Sequence, residues 1–300
     1  MYDDLQQDRK QVVLVTGAGS GLGFETTLFL AGKGYAVWGS VLNAAEAAAL
    51  AEGAERRQVP VTVLQMDVTQ QHEIDAAVRA LLEKPGRIDG LVQFAGIGLS
   101  GFFEDVSLEE VRRLYDVNLF GVMAVTQAVL PHMRATRAGR IVITSSVLGR
   151  IGVMAASGYV SSKFAVEGFA ECLAQEVAPF GIYVSLLEPG LVRTPMLGIN
   201  RNRAKRALDP NSSYYAWFSQ HQEIVDDRLR RSRVTTVDVA WTVHKILTSS
   251  RPRLRYVVGL PAKLILSLRR HIPGEVFERL LFGYIRRRVT APRQQSKGVS

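Results

Sequence analysis

Short, almost unbroken apolar runs alternate with helical patterns through most of this chain, and that alternation leaves few folds open. The runs are VVLVTG (Val12–Gly17), YAVWGSV (Tyr35–Val41), VTVLQMDV (Val61–Val68), IDGLVQFAG (Ile88–Gly96), GRIVITSS (Gly139–Ser146) and IYVSLLEPG (Ile182–Gly190), with RYVVG (Arg255–Gly259) as a final edge strand. A strand that is apolar at consecutive positions is covered on both faces, whereas a half-solvated strand alternates apolar with polar. Between the runs lie FETTLFLAGKG (Phe24–Gly34), the alanine-rich NAAEAAALAEG (Asn43–Gly53) opening on Asn43 as an N-cap, and the amphipathic QQHEIDAAVRALLEK (Gln70–Lys84). A long helix follows over roughly Leu108–Arg134, and a later one carries Tyr159. Buried strands interleaved with helices specify an α/β domain: a doubly wound parallel sheet in three layers, with its ligand crevice beyond the carboxyl ends of the strands.

The alternation breaks from about Met196 to Arg233, a polar stretch that reads as a lid, since long insertions in compact domains are usually binding loops. A dinucleotide-binding and catalytic domain is thus expected over 1–260, followed by a basic amphipathic extension over 261–300. Cys172 is the single cysteine, so no intrachain disulfide is possible. The opening MYDDLQQDRKQ lacks the apolar core of a secretory signal, and no run approaches the ~18 consecutive apolar residues of a spanning helix. A cytoplasmic protein is expected. The net charge of +9 is concentrated at the end, where Lys263 to Ser300 holds nine Lys or Arg residues against Glu275 and Glu278. The near-neutral body carries no groove-reading module, so nucleic acid is not an expected partner. No metal site is expected.

Two stretches carry chemistry. The first strand runs into TGAGSGLG (Thr16–Gly23), with glycines spaced Gly17-x3-Gly21-x-Gly23. Bare backbone at such a turn lets a pyrophosphate approach a helix N-terminus. Further on, GYVSSKFAV sets Tyr159 and Lys163 at i and i+4, on one face of a helix. By itself this pair reads either as an aromatic ring packed on a lysine stem or as a phenol whose proton the ammonium makes easier to remove.

Together, Gly17, Gly21 and Gly23, Asn118 in DVNLFG, Ser146 in TSSVLG, Tyr159 and Lys163 in YVSSK, and PGLVRT (Pro189–Thr194) resemble the short-chain dehydrogenase/reductase family over about residues 10 to 260, most nearly its hydroxysteroid and retinol dehydrogenase-like members. The resemblance implies a Rossmann-type sheet and hydride transfer with NAD(H) or NADP(H). It implies Tyr159 as general acid/base, Lys163 as the charge that lowers the phenol pKa and holds the nicotinamide ribose, and Ser146 as the hydrogen-bond partner of the reacting oxygen. Asn118 would anchor the lysine through a water. For the cofactor it implies Ser20 and Leu22 in the phosphate turn, Asp67 and Val68 beside the adenine, and Ala95 and Gly96 at close approach. Pro189, Gly190, Val192 and Thr194 would lie along the nicotinamide. It also implies a dimer or tetramer built through the helices of Asn118 and Tyr159.

There are departures. Gln93 and Phe94 stand where the family has two asparagines before Ala95 and Gly96, which predicts altered local hydrogen bonding. At the end of the second strand, Val41 and Leu42 replace both the acid that grips the NAD ribose and the arginine that meets the NADP phosphate. With no evident partner for a 2′-phosphate, NAD is favoured, with Asn43 as a ribose contact. Candidate pocket residues are Ile97–Phe103 and, on the lid, Leu197, Tyr214, Tyr215, Trp217 and Phe218. Their apolar character favours a lipophilic secondary alcohol or ketone, such as a steroid, retinoid or related lipid. The alternative is a reductase of β-keto acyl thioesters or polyketide-like ketones, with Arg201, Arg203, Lys205 and Arg206 meeting a phosphate or acidic carrier. A protein of another class, a nucleotide sensor or scaffold without catalysis, is disfavoured by the complete set Asn118, Ser146, Tyr159 and Lys163.

The extension reads as two amphipathic segments within Ala262–Arg288, broken at Pro273-Gly274. They either pack on the domain or a partner subunit, or lie on an anionic membrane with the arginines at the headgroups.

Overall fold

The computed structural model describes residues 10–198 and 201–290 of the 300-residue chain, with only the backbone at Leu197 and Thr290. In chain order the elements are β1 (Val12–Thr16), α1 (Gly21–Gly32), β2 (Ala36–Val41), α2 (Ala44–Arg56), β3 (Val61–Gln65), α3 (Gln71–Glu83), β4 (Gly90–Gln93), α4 (Leu108–Tyr115), α5 (Gly121–Thr136), β5 (Gly139–Thr144), α6 (Ser157–Val177), β6 (Ile182–Pro189), α7 (Tyr215–Arg231), α8 (Thr236–Thr248), β7 (Arg255–Val258), α9 (Leu260–His271) and α10 (Gly274–Thr290). The strands form one seven-stranded parallel sheet in the order β3-β2-β1-β4-β5-β6-β7.

The apolar strands are explained by what covers them. Successive side chains of β1 point to opposite faces. Val12 and Leu14 join one core with Ile74 of α3, Val125 of α5 and Val166 of α6, while Val13 and Val15 join another with Leu28 of α1, Leu50 of α2 and Val243 of α8. The fold is the three-layer α/β arrangement expected from the sequence. Strand order reverses between β1 and β4, whose ends pair Thr16 with Gln93, so a crevice opens there.

Local differences from the sequence reading have local causes. The apolar run at Ile88–Gly96 holds only four strand residues, because Phe94–Gly96 leave the sheet to cross the crevice. Helix α1 begins at Gly21, not at Phe24, which places Gly21 and Gly23 in its first turn. The long helix is two α-helices joined by a π-helical turn, Asp116–Phe120, that contains Asn118. That whole stretch is apolar enough to cross a membrane by composition, yet Val122, Val125, Val129 and Met133 are buried against the sheet. The lid contains a full helix, α7. The tail packs onto the domain, with Ala262, Leu266 and Phe277 buried against Val147 and Ile151.

Candidate active site

A single cleft of about 1120 Å³ runs from the end of β2, across β1 and β4, to the C-terminal helices. Its lining gathers Gly17, Ser20, Gly21, Leu22, Gly23, Asp67, Val68, Ala95, Gly96, Ser146, Tyr159, Lys163, Pro189, Gly190, Val192 and Thr194, all singled out by the sequence.

The floor near α1 is built for close approach. Gly17 has φ +67°, and a Cβ there would stand 2.6 Å from the Ala95 nitrogen. A Cβ on Gly23 would stand 2.1 Å from the Gly17 carbonyl oxygen. Thr16 Oγ1 accepts from the Ala95 N–H at 3.2 Å and ties the two strand ends together. Ser20 caps α1 without a side-chain hydrogen bond, which leaves the helix's first amides facing the cleft for an anion. Bare backbone, a helix N-terminus and a long cleft fit a dinucleotide.

Asn43 and Asn118 do not line the cleft. Asn43 Oδ1 accepts from the Glu46 N–H at 2.9 Å and is engaged as the cap of α2, so the sequence reading of it as a ribose contact is not supported. The group presented at the end of β2 is Glu46, whose Oε2 accepts from the Leu42 N–H at 2.9 Å and crowds Gly19 so closely that a Cβ there would sit 2.3 Å away. Asn43-x-x-Glu46 was visible as a capping pattern, but nothing in it signalled contact with the glycine turn. Asn118 is fully buried. Its Oδ1 accepts from the Ile97 N–H at 2.8 Å, and its Nδ2 donates to the Ile97 carbonyl at 2.9 Å and to Ser162 Oγ at 3.3 Å. Asn118 is thus a positioning residue that fixes the loop after β4; the widened π-turn lets it reach that backbone.

Of the two replaced asparagines, Gln93 turns away and donates to Thr126 Oγ1 at 2.8 Å, while Phe94 faces the cleft. Asp67 Oδ1 accepts from both the N–H and the hydroxyl of Thr69.

Tyr159 and Lys163 lie on α6, as their spacing requires. Burial pushes the Tyr159 phenol up to about 12, against a hydrogen bond with Ser146 that acts in the opposite direction. Burial brings the Lys163 ammonium down to about 8, partly offset by the charge of Glu167. Lys163 Nζ donates to the Thr144 carbonyl at 2.8 Å and stands 5.8 Å from the centre of the Tyr159 ring. In the protein alone, then, burial dominates the Tyr159 phenol, and the hydrogen bond with Ser146 opposes it.

Behind Lys163 lies a buried charge network. Arg255 Nε is 3.0 Å from Glu167 and 3.2 Å from Glu188, and Arg150 is 3.5 Å from Glu188. Burial, with the neighbouring Glu167 charge, raises Glu188 to about 7.

The far half of the cleft departs most from the sequence reading. Ile97 to Ser100 line it, but Phe102 stacks on Tyr214 at 4.9 Å, Phe218 is buried, and Tyr215 and Trp217 face outward. The Leu197 side chain lies outside the described residues. Helix α7 is turned so that His221, Gln222, Ile224, Val225 and Arg228 form its cleft face, and α9 and α10 add Ile265, Leu281, Tyr284, Ile285 and Arg288. Of the loop cations expected to meet an acidic carrier, Arg201 pairs with Asp226 at 2.6 Å and Arg206 with Asp105 at 3.4 Å, while the backbone N–H of Lys205 donates to Glu110. Among the described residues no cluster of three or more His, Cys, Asp or Glu could hold a metal ion.

Comparison with known proteins agrees with this geometry. Residues 11–205 match the short chain dehydrogenase family. The chain is 34% identical over 250 residues to a 3-ketodihydrosphingosine reductase of Bacteroides thetaiotaomicron, covering 83% of this chain and 88% of that protein. It is 33% identical over 256 residues to retinol dehydrogenase 8 of Bos taurus, covering 83% and 81%. The crystal structure of an actinorhodin polyketide ketoreductase variant with NADPH superposes with a TM-score of 0.72 at 29% identity, covering 83% of this chain and 95% of that one. A match of this extent, on a chain whose cleft joins a glycine turn to Ser146, Tyr159 and Lys163, has one meaning: this protein belongs to the short-chain dehydrogenase/reductase family and is an oxidoreductase that uses a nicotinamide dinucleotide.

Proposed function

We propose that the enzyme interconverts a lipophilic secondary alcohol and its ketone, with NAD(H) as the preferred cofactor. The observation that carries the reading is the placement of Tyr159 and Ser146 where the dinucleotide floor meets a wall of apolar side chains, among them Leu99, Val153, Ile224 and Ile265.

The cofactor, when bound, supplies or accepts the hydride. The residues do the rest. Ser146 offers its hydroxyl to the reacting oxygen, and Tyr159 delivers a proton to that oxygen in reduction or takes one in oxidation. A phenol pushed up to about 12 holds its proton at neutral pH and is suited to donate it. Lys163, fixed by the Thr144 carbonyl, places a positive charge beside the phenolate that remains. Apolar walls exclude water and strengthen that electrostatic interaction.

NAD is supported by Glu46. A 2′-phosphate brought to the end of β2 would meet a carboxylate, with Leu42 in place of an arginine. The polyketide-like alternative is weakened because Arg201 and Arg206 are already paired, with Asp226 and Asp105. Exposed Phe120 at the head of α5 and Phe164 on α6 support a dimer or tetramer through these helices. Exposed Leu260, Leu264, Leu268, Val276 and Leu280 on the basic tail support a cytoplasmic enzyme in peripheral contact with a membrane.

The test is turnover. Purified protein is mixed with NAD or NADP and a panel of sterols, retinoids and long-chain secondary alcohols, and with NADH or NADPH and small polar ketones, and nicotinamide absorbance is followed. Absence of turnover on every lipophilic substrate, with turnover on small polar ketones, refutes the reading.

A further inference from the structure

The far end of the cleft holds charge that hydride transfer does not use. Helix α10 brings Tyr284 against α7, where Arg228 donates to the Tyr284 hydroxyl at 3.2 Å with its guanidinium carbon 5.6 Å from the ring centre. Arg288 stands 5.0 Å from the same ring. Two guanidiniums thus share one aromatic ring in the wall of the cleft. Among the described residues neither is paired with a carboxylate. Two acids of α7 are engaged elsewhere, Asp226 with Arg201 and Asp227 with Arg230 and Arg231. Of the residues that α7 and α10 contribute to the lining, none is acidic.

A second observation comes from two turns along α7. Among the described residues, His221 Nδ1 is buried and has no hydrogen-bond partner. Burial, with Arg228 and Arg201 nearby, lowers its pKa, so the ring stays neutral near pH 7 and can donate or accept without adding charge. An orphaned polar atom in a cleft wall is costly unless something completes it. Between His221 and Arg228 the same helix presents to the cleft the apolar Ile224 and Val225, and Gln222, whose Oε1 accepts from Arg201 at 2.9 Å.

We propose that Arg228 and Arg288 form an anion-binding subsite at the outer end of the substrate cleft, and that the substrate is an amphiphile: an apolar body along Ile224 and Val225 and a carboxylate or phosphate at the arginine pair. Guanidinium is the group that meets such anions with paired hydrogen bonds, and Tyr284 holds both cations in place by its ring face. Like charges drawn to one ring and left without an acid are stabilised by a bound anion. The subsite rests on the reading of this cleft as the substrate site, but it adds a charge requirement that a purely lipophilic alcohol would not meet.

The test is calorimetric titration of the full-length protein, loaded with NADH, with decanoate, decyl phosphate and decan-1-ol, each below its aggregation concentration. None of the three carries a ketone or aldehyde for NADH to reduce, so the result is independent of turnover. The expected result is binding of decanoate or decyl phosphate about tenfold tighter than decan-1-ol, a preference that shrinks with salt and disappears in Arg228→Gln/Arg288→Gln. Arg230→Gln, which changes an arginine outside the cleft, retains it. Circular dichroism and NAD titration of each variant confirm that the fold and the cofactor half are intact. Equal affinity for the three ligands overturns the proposal, as does a preference that survives in the double variant. A response to phosphatidylglycerol vesicles without any response to decanoate also overturns it, since the pair would then serve a bilayer surface and not a substrate.

Discussion

Lys163 Nζ sits 5.8 Å from the centre of the Tyr159 ring and is held there by the Thr144 carbonyl. The two side chains act together without a direct hydrogen bond between them among the described contacts, so they can be separated by mutation. Tyr159→Phe keeps the ring and removes the proton. Turnover is expected to fall by about 10²–10⁴-fold while cofactor binding persists. Steady-state kinetics with parallel cofactor titration checks this, and near-normal turnover in the variant would refute the mechanism.

The titration of the pair gives a direction with pH. The Lys163 charge is present below about 8 and is lost above it, while the Tyr159 proton is kept to about 12. Ketone reduction needs both, so its rate is expected to hold through neutral pH and decline as Lys163 deprotonates. Lys163→Arg keeps its charge throughout and should remove that decline, even at a lower overall rate. A pH profile of reduction in the two proteins decides the point.

Glu46 is expected to set the cofactor preference. Glu46→Gln removes the repulsion and should tighten NADP binding by about tenfold with little change for NAD. Leu42→Arg, at an exposed position, should add to the gain by giving the phosphate a partner. Val41→Asp is the poorer experiment, because Val41 is buried at 1% exposure. Calorimetry with both cofactors measures each effect; clearly tighter NADP binding by the unmodified protein would overturn the assignment.

Glu188 links stability to pH. Its folded pKa of about 7 lies above the ordinary 4.5, so the native state retains a proton that the unfolded chain has lost. The corresponding stability is full below 4.5 and is lost as pH rises through about 7. Glu188→Gln removes this titration. The melting temperature of the variant minus that of the parent should therefore increase by several degrees between about pH 5 and about pH 8. A constant difference across that range would show that the network with Arg255 and Arg150 compensates fully.

The tail is expected to bind anionic bilayers through its exposed face. Leu264→Gln/Leu268→Gln/Leu280→Gln leaves the buried Leu266 and Phe277 untouched, whereas truncation at Leu260 would strip a wall from the cleft. Full-length protein should co-sediment with phosphatidylglycerol vesicles at low salt, less at high salt, and the triple variant should do so weakly. If the unmodified protein ignores anionic vesicles at low salt, the exposed leucines serve another contact.

The parts of this site that were legible in the sequence are those where chemistry dictates a residue type. Only glycine fits the approach of Gly17 to Ala95, and the Tyr159–Lys163 spacing places both side chains on one helix face wherever that helix goes. What was not legible depends on which way an element is turned. The aromatic run Tyr214–Phe218 drew attention to the start of α7, but Phe218 packs inward, and the cleft face belongs to His221 and Arg228 one and three turns later. Glu46 reads as a capping acid from its own segment, and its contact with Gly19 exists only because β1 and β2 pair. Asn118 reaches the backbone of Ile97 through a π-turn that no periodicity announces.

The division of the cleft along the chain has a genetic consequence. Residues up to Thr194 supply the dinucleotide floor, Ser146, Tyr159, Lys163 and the near apolar wall with Leu99 and Val153, while the opposite wall is drawn from α7, α9 and α10. A crossover between two related genes in the region coding for the loop after β6 would therefore join one parent's redox machinery to another parent's substrate wall. Chimeras made there should inherit cofactor preference from the upstream parent and substrate preference from the downstream one, so selection can retune what this enzyme recognises without disturbing how it reacts.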